Sequence, residues 1–261
     1  MKQRVIESNN DLFADYEKLQ AGDIVTGRIR LLAGQEHLLL DLVVRGVHLI
    51  PSASAQLCSR SKVYQAAILC EFMVEHTRPV YSLNDMLEAV TAYGRAGISS
   101  VVCKLDRANG GVGILKFASV EEVFSQVALQ NFPLPFVLQP FISGCKDVRV
   151  VLLGDHVESY QRYNPDNFRH NLHCGGTRHA WKLTADQQKF CQQVMQRAGF
   201  IYAHVDLLIL PDNTHRLSEI NLRGGLRGAG ISQKEYLRAV KKIHEQELQK
   251  IKKEGSGCRA T

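Results

Sequence analysis

No run of about 18 apolar residues occurs anywhere in the 261-residue chain, so nothing in it reads as a membrane-spanning helix. The first residues, MKQRVIESNNDLFADYEK, lack the apolar centre that a secretory signal needs. The seven cysteines are scattered (Cys58, Cys70, Cys103, Cys145, Cys174, Cys191 and Cys258), an odd number with no Cys-x-x-Cys pair. That argues against a disulfide framework or a zinc site and for a reducing compartment, so the expected location is cytoplasmic. Internal repeats and low-complexity segments are also absent. The P-loop pattern GxxxxGK[ST] does not occur, and the one glycine-rich loop opens a strand, not a helix, which removes the dinucleotide-binding fingerprint as well. The net charge is +6, much of it in the final segment KKIHEQELQKIKKEGSGCRA, where Lys alternates with Glu. That segment reads as a solvated helix with a frayed end, or as a surface for an acidic partner. No RNA-binding signature supports a nucleic acid in that place.

Hydrophobic residues make up 45% of the chain and charged residues 22%, the balance of an ordinary globular protein with room for one large domain or two modest ones. Strand and helix signals interleave. DIVTGRI and GVHLI read as strands around a short helix, HLLLDLVVRG. A helical pattern runs from Ser61 to His76, with Ser59 or Ser61 as its cap. Ser82 with Asp85, Ser119 with Glu122 and Thr184 with Gln187 open three more helices, the last stopping near Gly199. ISSVVCKL and ILKF are strands flanking the glycine loop NGGVG, and PFVLQPFI is a strand running into a connector. VRVVLLGDHVESYQRY reads as a hairpin about Gly154–Asp155. IYAHVDLLIL and HRLSEINL are strands joined by a Pro-Asp-Asn turn, and a final helix starts near Ser232. Strands mostly paired in hairpins, with helices between them, predict a layered α+β fold.

The stretch LSEINLRGG, residues 217–225, poses the functional question. Alternation along a strand puts Glu219, Asn221 and Arg223 on one face and Ser218, Ile220 and Leu222 on the other. The turn before it brings Asp206 beside Glu219. Two carboxylates and an amide oxygen are hard ligands that suit Mg²⁺, and without a cation Asp206 and Glu219 are expected to repel each other. The alternative is a solvated face with the acids paired to Arg223 or Arg227. Upstream, Lys104 ends an apolar strand just before Gly110, Gly111 and Gly113, a loop that either cradles phosphate through its backbone N–H groups or is a plain glycine hairpin. Lys62 stands at a helix start, where a cation opposes the helix dipole. Asp147, Arg149 and Val151 alternate on one strand face, with Arg162 on its partner and Asn171 and Gly175–Gly176 beyond. Such converging basic groups suit a phosphate or carboxylate. His204 shares a face with Asp206 and is a candidate to support a metal ligand; His170, His173, His179 and Cys174 have no evident catalytic pairing.

Taken in order, these motifs resemble the ATP-grasp superfamily and, within it, the RimK-like amino-acid ligases, from about Gly22 to Ile243. The resemblance implies an α+β ATP-grasp fold: lobes over 62–136 and 137–255 clasping ATP, a shortened pre-ATP-grasp segment at 1–61 and a flexible tail at 256–261. It implies that Lys62 and Lys104 contact the ATP phosphates and that Gly110, Gly111 and Gly113 close over them. Gln139, Pro140, Phe141 and Ile142 would form the connector, whose backbone at 140–142 reads adenine. Asp206, Glu219 and Asn221 would hold one or two Mg²⁺ ions, for which Mn²⁺ can substitute. Arg162 and Asn171 would meet the phosphoryl group or the acyl substrate, and Arg223 a substrate acid. The chain departs from the usual Glu-x-Asn-x-Ser-Pro-Gly ending by reading Glu-Ile-Asn-Leu-Arg-Gly-Gly. The implied activity is an ATP-dependent carboxylate–amine ligase acting on a carboxylate and an amine, the latter an amino acid or peptide. The alternatives are a kinase on the same fold and a non-catalytic nucleotide-binding scaffold. The short N-terminal segment suggests a homo-oligomer or partner subunit that completes the site.

Overall fold

The computed structural model describes residues 3–108 and 110–257. The chain begins with Val5–Ile6 (β1), the helix Asn9–Asp15 (α1), Ile24–Thr26 (β2), the helix His37–Val44 (α2) and His48–Ile50 (β3). These three strands form a parallel sheet in the order β1-β2-β3, packed on Leu12, Leu39 and Leu42. Two short helices follow, Ala53–Cys58 (α3) and Lys62–Ile68 (α4). The next group is Arg78–Val80 (β4), Leu83–Arg95 (α5), Val101–Leu105 (β5), Ile114–Phe117 (β6), Val120–Ala128 (α6) and Phe136–Pro140 (β7). Its antiparallel sheet has the order β4-β7-β5-β6 and covers a core of Met86, Tyr93, Val123 and Phe136. The boundary expected at 136/137 therefore falls inside a strand, and sheet pairing carries this unit to Pro140.

The last group is Lys146–Leu153 (β8), His156–Tyr163 (β9), Thr177–Ala180 (β10), Ala185–Ala198 (α7), Ala203–Ile209 (β11), His215–Asn221 (β12) and Gln233–Gly257 (α8). Its sheet runs β10-β9-β8-β11-β12, antiparallel throughout the pairs β8–β9, β8–β11 and β11–β12. The largest core packs α4, α7 and α8 residues against this sheet. Of the tail expected at 256–261, Ser256 and Gly257 belong to α8, and residues 258–261, with Cys258, lie outside the described residues, as does Asn109 of the glycine loop. The six described cysteines are free thiols, and no helix among the described residues is long and apolar enough to cross a membrane.

The expected helix over 61–76 ends at Ile68. Leu69 leaves the helical region, and the apolar residues that continue the pattern, Leu69, Met73 and Val74, are buried in a short turn and an extended stretch. Their spacing reports core contact, not helix. The capping boxes of α5 and α7 form as read. At α6 only half the box forms: Ser119 accepts from the Glu122 N–H, while the Glu122 carboxylate accepts from Ala118 N, one residue earlier. The two-residue β1, the helices α1 and α3, and the edge strands β4 and β10 carried no distinct sequence signal; each is short or lacks a clean alternation.

Strand β12 is an edge, and an edge leaves backbone groups to be satisfied. The α3–α4 segment supplies the partners. The Gln65 side chain, buried in α4, donates to Cys58 O (2.6 Å) and Ile220 O (2.9 Å) and accepts from Ile220 N (3.0 Å). Ser59 Oγ accepts from Leu222 N at 3.0 Å. One amide side chain thus fixes the register between the helix that carries Lys62 and the strand that carries Glu219. Gln65→Leu keeps the volume but leaves the Ile220 N–H and C=O without partners. At about 1–3 kcal/mol for each such group, urea unfolding is expected to show a loss of roughly 2–6 kcal/mol. A loss near zero would mean that water satisfies the strand edge.

Candidate active site

Residues of the four- and five-stranded sheets line one cleft of about 1090 Å³. Every residue expected from the sequence to bind ATP, Mg²⁺ or substrate lines it except Gly113. Gly113 closes the base of the loop, its carbonyl accepting from Leu105 N (2.8 Å), and an added Cβ there would lie 2.2 Å from Ala108 Cβ. Its missing side chain serves packing, not ligand access. Gly110 and Gly111 do line the cleft, with φ of 71° and 82°, a conformation that side chains resist. A Cβ on Gly111 would lie 3.1 Å from Asn171 Nδ2, so the loop carrying Asn171 rests directly on the glycine turn.

Lys62 and Lys104 are both tied to protein acceptors at the cleft. Lys62 is buried, with Nζ donating to Ala108 O (2.5 Å) and lying 3.3 Å from Glu219 Oε1. Its place at the start of α4 is offset by Asp106, whose carboxylate accepts from Ser61 Oγ (2.9 Å) and Val63 N (3.2 Å). Lys104 Nζ donates to Ser218 O (3.1 Å) and Ser218 Oγ (3.3 Å). Burial, helped by the charge of Lys62 and opposed by Glu219, brings its pKa down to about 8.

Ser218 is out of its expected place. Asp206 pairs with Glu219 as read from the sequence, but Leu207 then pairs with Leu217, and Ser218 is the extra residue of a bulge. Simple alternation would have put Ser218 in the core with Ile220 and Leu222. The bulge gives the core to Leu217 and turns Ser218 and Glu219 together toward the cleft.

The acids do not repel each other unrelieved, contrary to the sequence expectation, and their partners are neither Arg223 nor Arg227. Asp206 is buried between two arginines: Arg149 Nε donates to Oδ1 (2.5 Å), Arg149 Nη2 to Oδ2 (2.8 Å), and Arg162 Nη2 lies 2.9 Å from Oδ2. Arg162 in turn donates to Asp147 Oδ1 from Nε (3.1 Å) and Nη2 (2.5 Å). Burial raises the Asp206 carboxyl's pKa, but the two guanidiniums outweigh it and hold the group well below the usual carboxylate range. Asp147 moves the other way, pushed up by burial and by the charge of Asp206 against the pull of Arg162. Arg149, read from the sequence as one of the basic groups converging on a phosphate or carboxylate, is instead the main partner of Asp206. The signal that could have identified it is the shared strand face of Asp147 and Arg149.

The donor chemistry fits a hard divalent cation. Asp206 and Glu219 are directly opposed, Asn221 is the next residue on the same face, and all three line the cleft. A carboxylate offers about four lone-pair sites. Asp206 uses three of them on guanidinium donors, which leaves one. Among the described residues no group of three His, Cys, Asp or Glu side chains could hold a metal ion.

His204 lies behind this floor without touching Glu219. Tyr236 Oη donates to Leu222 O (3.0 Å), so His204 Nε2, 3.2 Å away, must donate to that hydroxyl, and the unprotonated Nδ1 is left buried without a partner. Burial, with the charge of Arg149, brings the imidazole pKa down to about 4. Gly224 makes room for both side chains: a Cβ there would lie 2.5 Å from His204 Nδ1 and 2.8 Å from an Arg149 guanidinium nitrogen.

At the other end of the cleft, Gln139 is buried, and Phe141 N donates to Ser100 O (2.9 Å). Pro140 has no N–H. Of the connector's backbone donors expected to read a base, Ile142 keeps the remaining one. The Phe141 ring is held between Lys116 Nζ (3.7 Å from its centroid) and Phe168 (6.1 Å, edge-on). Arg169 Nε donates to Ile114 O (2.9 Å), so the loop after β9 is tied to β6 across the cleft.

Two facing sheets, a glycine turn, paired lysines and an acid–amide strand end define the ATP-grasp class of fold. Two solved structures share it: D-cycloserine synthetase, 17% identical with a TM-score of 0.60 over 85% of this chain and 83% of that one, and the D-alanine–D-alanine ligase of Coxiella burnetii, 15% identical with a TM-score of 0.60 over 92% and 72%. Within that class, the model of the RimK-like ATP-grasp domain matches residues 75–245, and the chain belongs to this family. A "Probable alpha-L-glutamate ligase" of Trichodesmium erythraeum is 29% identical over 176 residues, which cover 65% of this chain and 58% of that protein. The chain thus spans little more than half the length of the first curated relatives it matches.

Arg149→Met is expected to destabilise the protein by about 3–5 kcal/mol, because it leaves the Asp206 charge buried with one partner in place of two. The companion variant Arg149→Met with Asp206→Leu should recover most of the loss. Denaturant unfolding of both variants checks this; equal losses would show that the guanidinium acts through packing alone.

His204 also predicts an acid limb. Its folded pKa of about 4 lies below the ordinary 6.5, so the neutral ring contributes fully above pH 6.5 and stability falls as the pH drops from 6.5 to 4. Thermal midpoints across that range should fall less steeply for His204→Gln.

Proposed function

We propose that the protein is an ATP- and Mg²⁺-dependent carboxylate–amine ligase that forms an amide or peptide bond through an acylphosphate. The observation that carries this reading is the pair of lysine ammonium groups held on the cleft wall beside a positive-φ glycine turn. An ammonium has three donors. Lys104 places two on Ser218, and Lys62 places two on Ala108 O and Glu219, so each is aimed by the protein and keeps one donor for an anion in the cleft. A polyphosphate meets that description, and the family membership and the names of the relatives favour ATP and an amino-acid substrate.

The adenine end would lie at Gln139–Ile142, with Ile142 N–H as a backbone donor. Mg²⁺, held by Glu219, Asn221 and the free lone pair of Asp206, would supply charge neutralisation between phosphates. Arg149 and Arg162 keep Asp206 ionised and fixed; Arg162 is therefore a positioning residue as well as one that lines the cleft. In the reaction the acid's carboxylate attacks the γ-phosphorus and ADP leaves. The amine then attacks the acyl carbon, loses a proton and expels inorganic phosphate. Lys62, Lys104 and Asn171 contribute by orientation and by offsetting the charge that builds on the phosphoryl oxygens.

The test is purified protein with ATP, Mg²⁺ and pools of acids and amino acids, followed by mass spectrometry. ADP with an amide product is the expected result. ADP with a stable phosphorylated acid would indicate a kinase, and nucleotide binding without turnover a scaffold.

The pH dependence follows from Lys104. Its ammonium is present below about pH 8 and lost above, so kcat/KM for ATP should fall above about pH 8. The stability effect has the opposite sign: the folded pKa lies below the ordinary 10.5, so the cost of the buried ammonium is relieved as pH rises from 8 toward 10.5. Lys104→Met should abolish the break near pH 8 and weaken ATP binding by about 1.5–3 kcal/mol, read by calorimetry.

A further inference from the structure

Strand β9 turns three side chains to one face, Glu158, Tyr160 and Arg162. Tyr160 and Arg162 line the cleft, and Arg162 holds Asp206. Glu158 does not line the cleft, yet both of its carboxylate oxygens are engaged. Oε1 accepts from Gly230 N, Oε2 accepts from Ile231 N (3.3 Å), and Arg178 Nη2 lies 3.6 Å from Oε1. The two amides belong to residues 224–231, which join β12 to α8 with four glycines and no helix or strand of their own.

The plain role for such a carboxylate is to cap α8, but α8 carries its own cap. Ser232 Oγ accepts from Glu235 N (3.3 Å), and the Glu235 carboxylate accepts from Ser232 N (2.9 Å), a complete capping box. Glu158 therefore holds the segment ahead of the helix. Tyr160 pins that segment at a second point, its hydroxyl donating to Arg227 O (3.2 Å). From there the Arg227 side chain reaches the loop between β9 and β10, residues 164–176, where Nη1 donates to Leu172 O (3.1 Å). Gly228 permits the close approach: its φ is 89°, and an added Cβ would lie 2.7 Å from Leu172 Cδ1 and 3.1 Å from Tyr160 Cε2. On either side of Leu172 the loop meets the glycine turn. Cys174 Sγ donates to Gly110 O (3.4 Å), and Asn171 Nδ2 would lie 3.1 Å from a Cβ on Gly111. One line of contacts thus runs from Glu158 through the 230–231 backbone, Arg227 and Leu172 to Asn171.

We propose that Glu158 is a positioning residue: it fixes the glycine-rich segment 224–231 so that Arg227 braces Leu172, and the brace sets the place of Asn171 against the glycine turn. The effect on turnover rests on the ligase reading, in which Asn171 orients the phosphoryl group; the brace itself does not. Four glycines in eight residues leave the segment much backbone freedom to lose, and a carboxylate that accepts from two backbone amides restrains it more strongly than neutral partners would. Glu158→Gln keeps the size of the side chain but replaces one acceptor by an NH₂ group, so one of the two N–H groups then faces a donor.

Hydrogen exchange of the full chain, read by mass spectrometry, tests the brace without any ligand. In Glu158→Gln, peptides covering 165–176 should exchange about tenfold faster than in wild type, together with those covering 224–231, while β8 and β11 keep wild-type rates. Arg227→Met approaches the same link from its other end and should reproduce the change at 165–176. Faster exchange confined to 224–240, with 165–176 unchanged in either variant, would overturn the proposal and leave Glu158 a local support of its segment. In turnover, Glu158→Gln should lower kcat about tenfold while KM for ATP stays within about twofold, since a small misplacement of an orienting group costs rate. In an Asn171→Ala background the same substitution should cost less than about twofold, because the group it positions is gone. Wild-type kcat in Glu158→Gln, or equal losses with and without Asn171, would also overturn the proposal. Absence of turnover by wild type would instead count against the ligase reading, and exchange at 165–176 would still decide the brace.

Discussion

A carboxylate buried at the bottom of a cleft must be paired, and the structure around Asp206 is organised by that requirement. Its two oxygens receive Arg149 and Arg162, and Arg162 passes the remaining charge to Asp147. The four side chains lie on three adjacent strands, β8, β9 and β11, so the order of the sheet and the charge network specify each other. Gly224 must lack a side chain because Arg149 and His204 occupy the space. His204 is neutral for the same reason, next to a guanidinium in a dry environment. The pairing leaves Asp206 ionised with one lone pair in hand, a state suited to a ligand of hard cations.

The upper wall of the cleft follows from a second constraint, the open edge of β12. Gln65 and Ser59 satisfy that edge, and in doing so they bring α4 alongside the strand, so that Lys62 meets Glu219. The Ser218 bulge then turns a carbonyl and a hydroxyl toward Lys104 from the other sheet. The two lysines are thus held by backbone and side-chain acceptors of both sheets before any ligand arrives. The loop bearing Phe168, Arg169 and Asn171 reaches from β9 to β6 and to the glycine turn, so contacts distant in sequence meet at the mouth of the cleft.

Much of this was legible in the sequence because the relevant signals are local. Hairpins about Gly154–Asp155 and the Pro-Asp-Asn turn fix strand registry, and registry puts Asp206 opposite Glu219. Capping residues placed α5 and α7 for the same reason. What was not legible depends on contacts distant in sequence. The partners of Asp206 lie on other strands, so its acidity was misread as mutual repulsion with Glu219. The Ser218 bulge breaks a period that sequence reading assumes to be unbroken. Gly113 looked like the glycines beside it and differs only in what a Cβ would strike.

The central claim is that this cleft activates a carboxylate by phosphoryl transfer from ATP. The most direct measurement supplies a pool of acids labelled with ¹⁸O in the carboxylate, together with ATP, Mg²⁺ and unlabelled amino acids, and weighs the phosphate released. An acylphosphate passes one carboxylate oxygen to phosphorus, so the account predicts inorganic phosphate carrying a single ¹⁸O. Phosphate released without label, while ADP forms at the same rate, would contradict it.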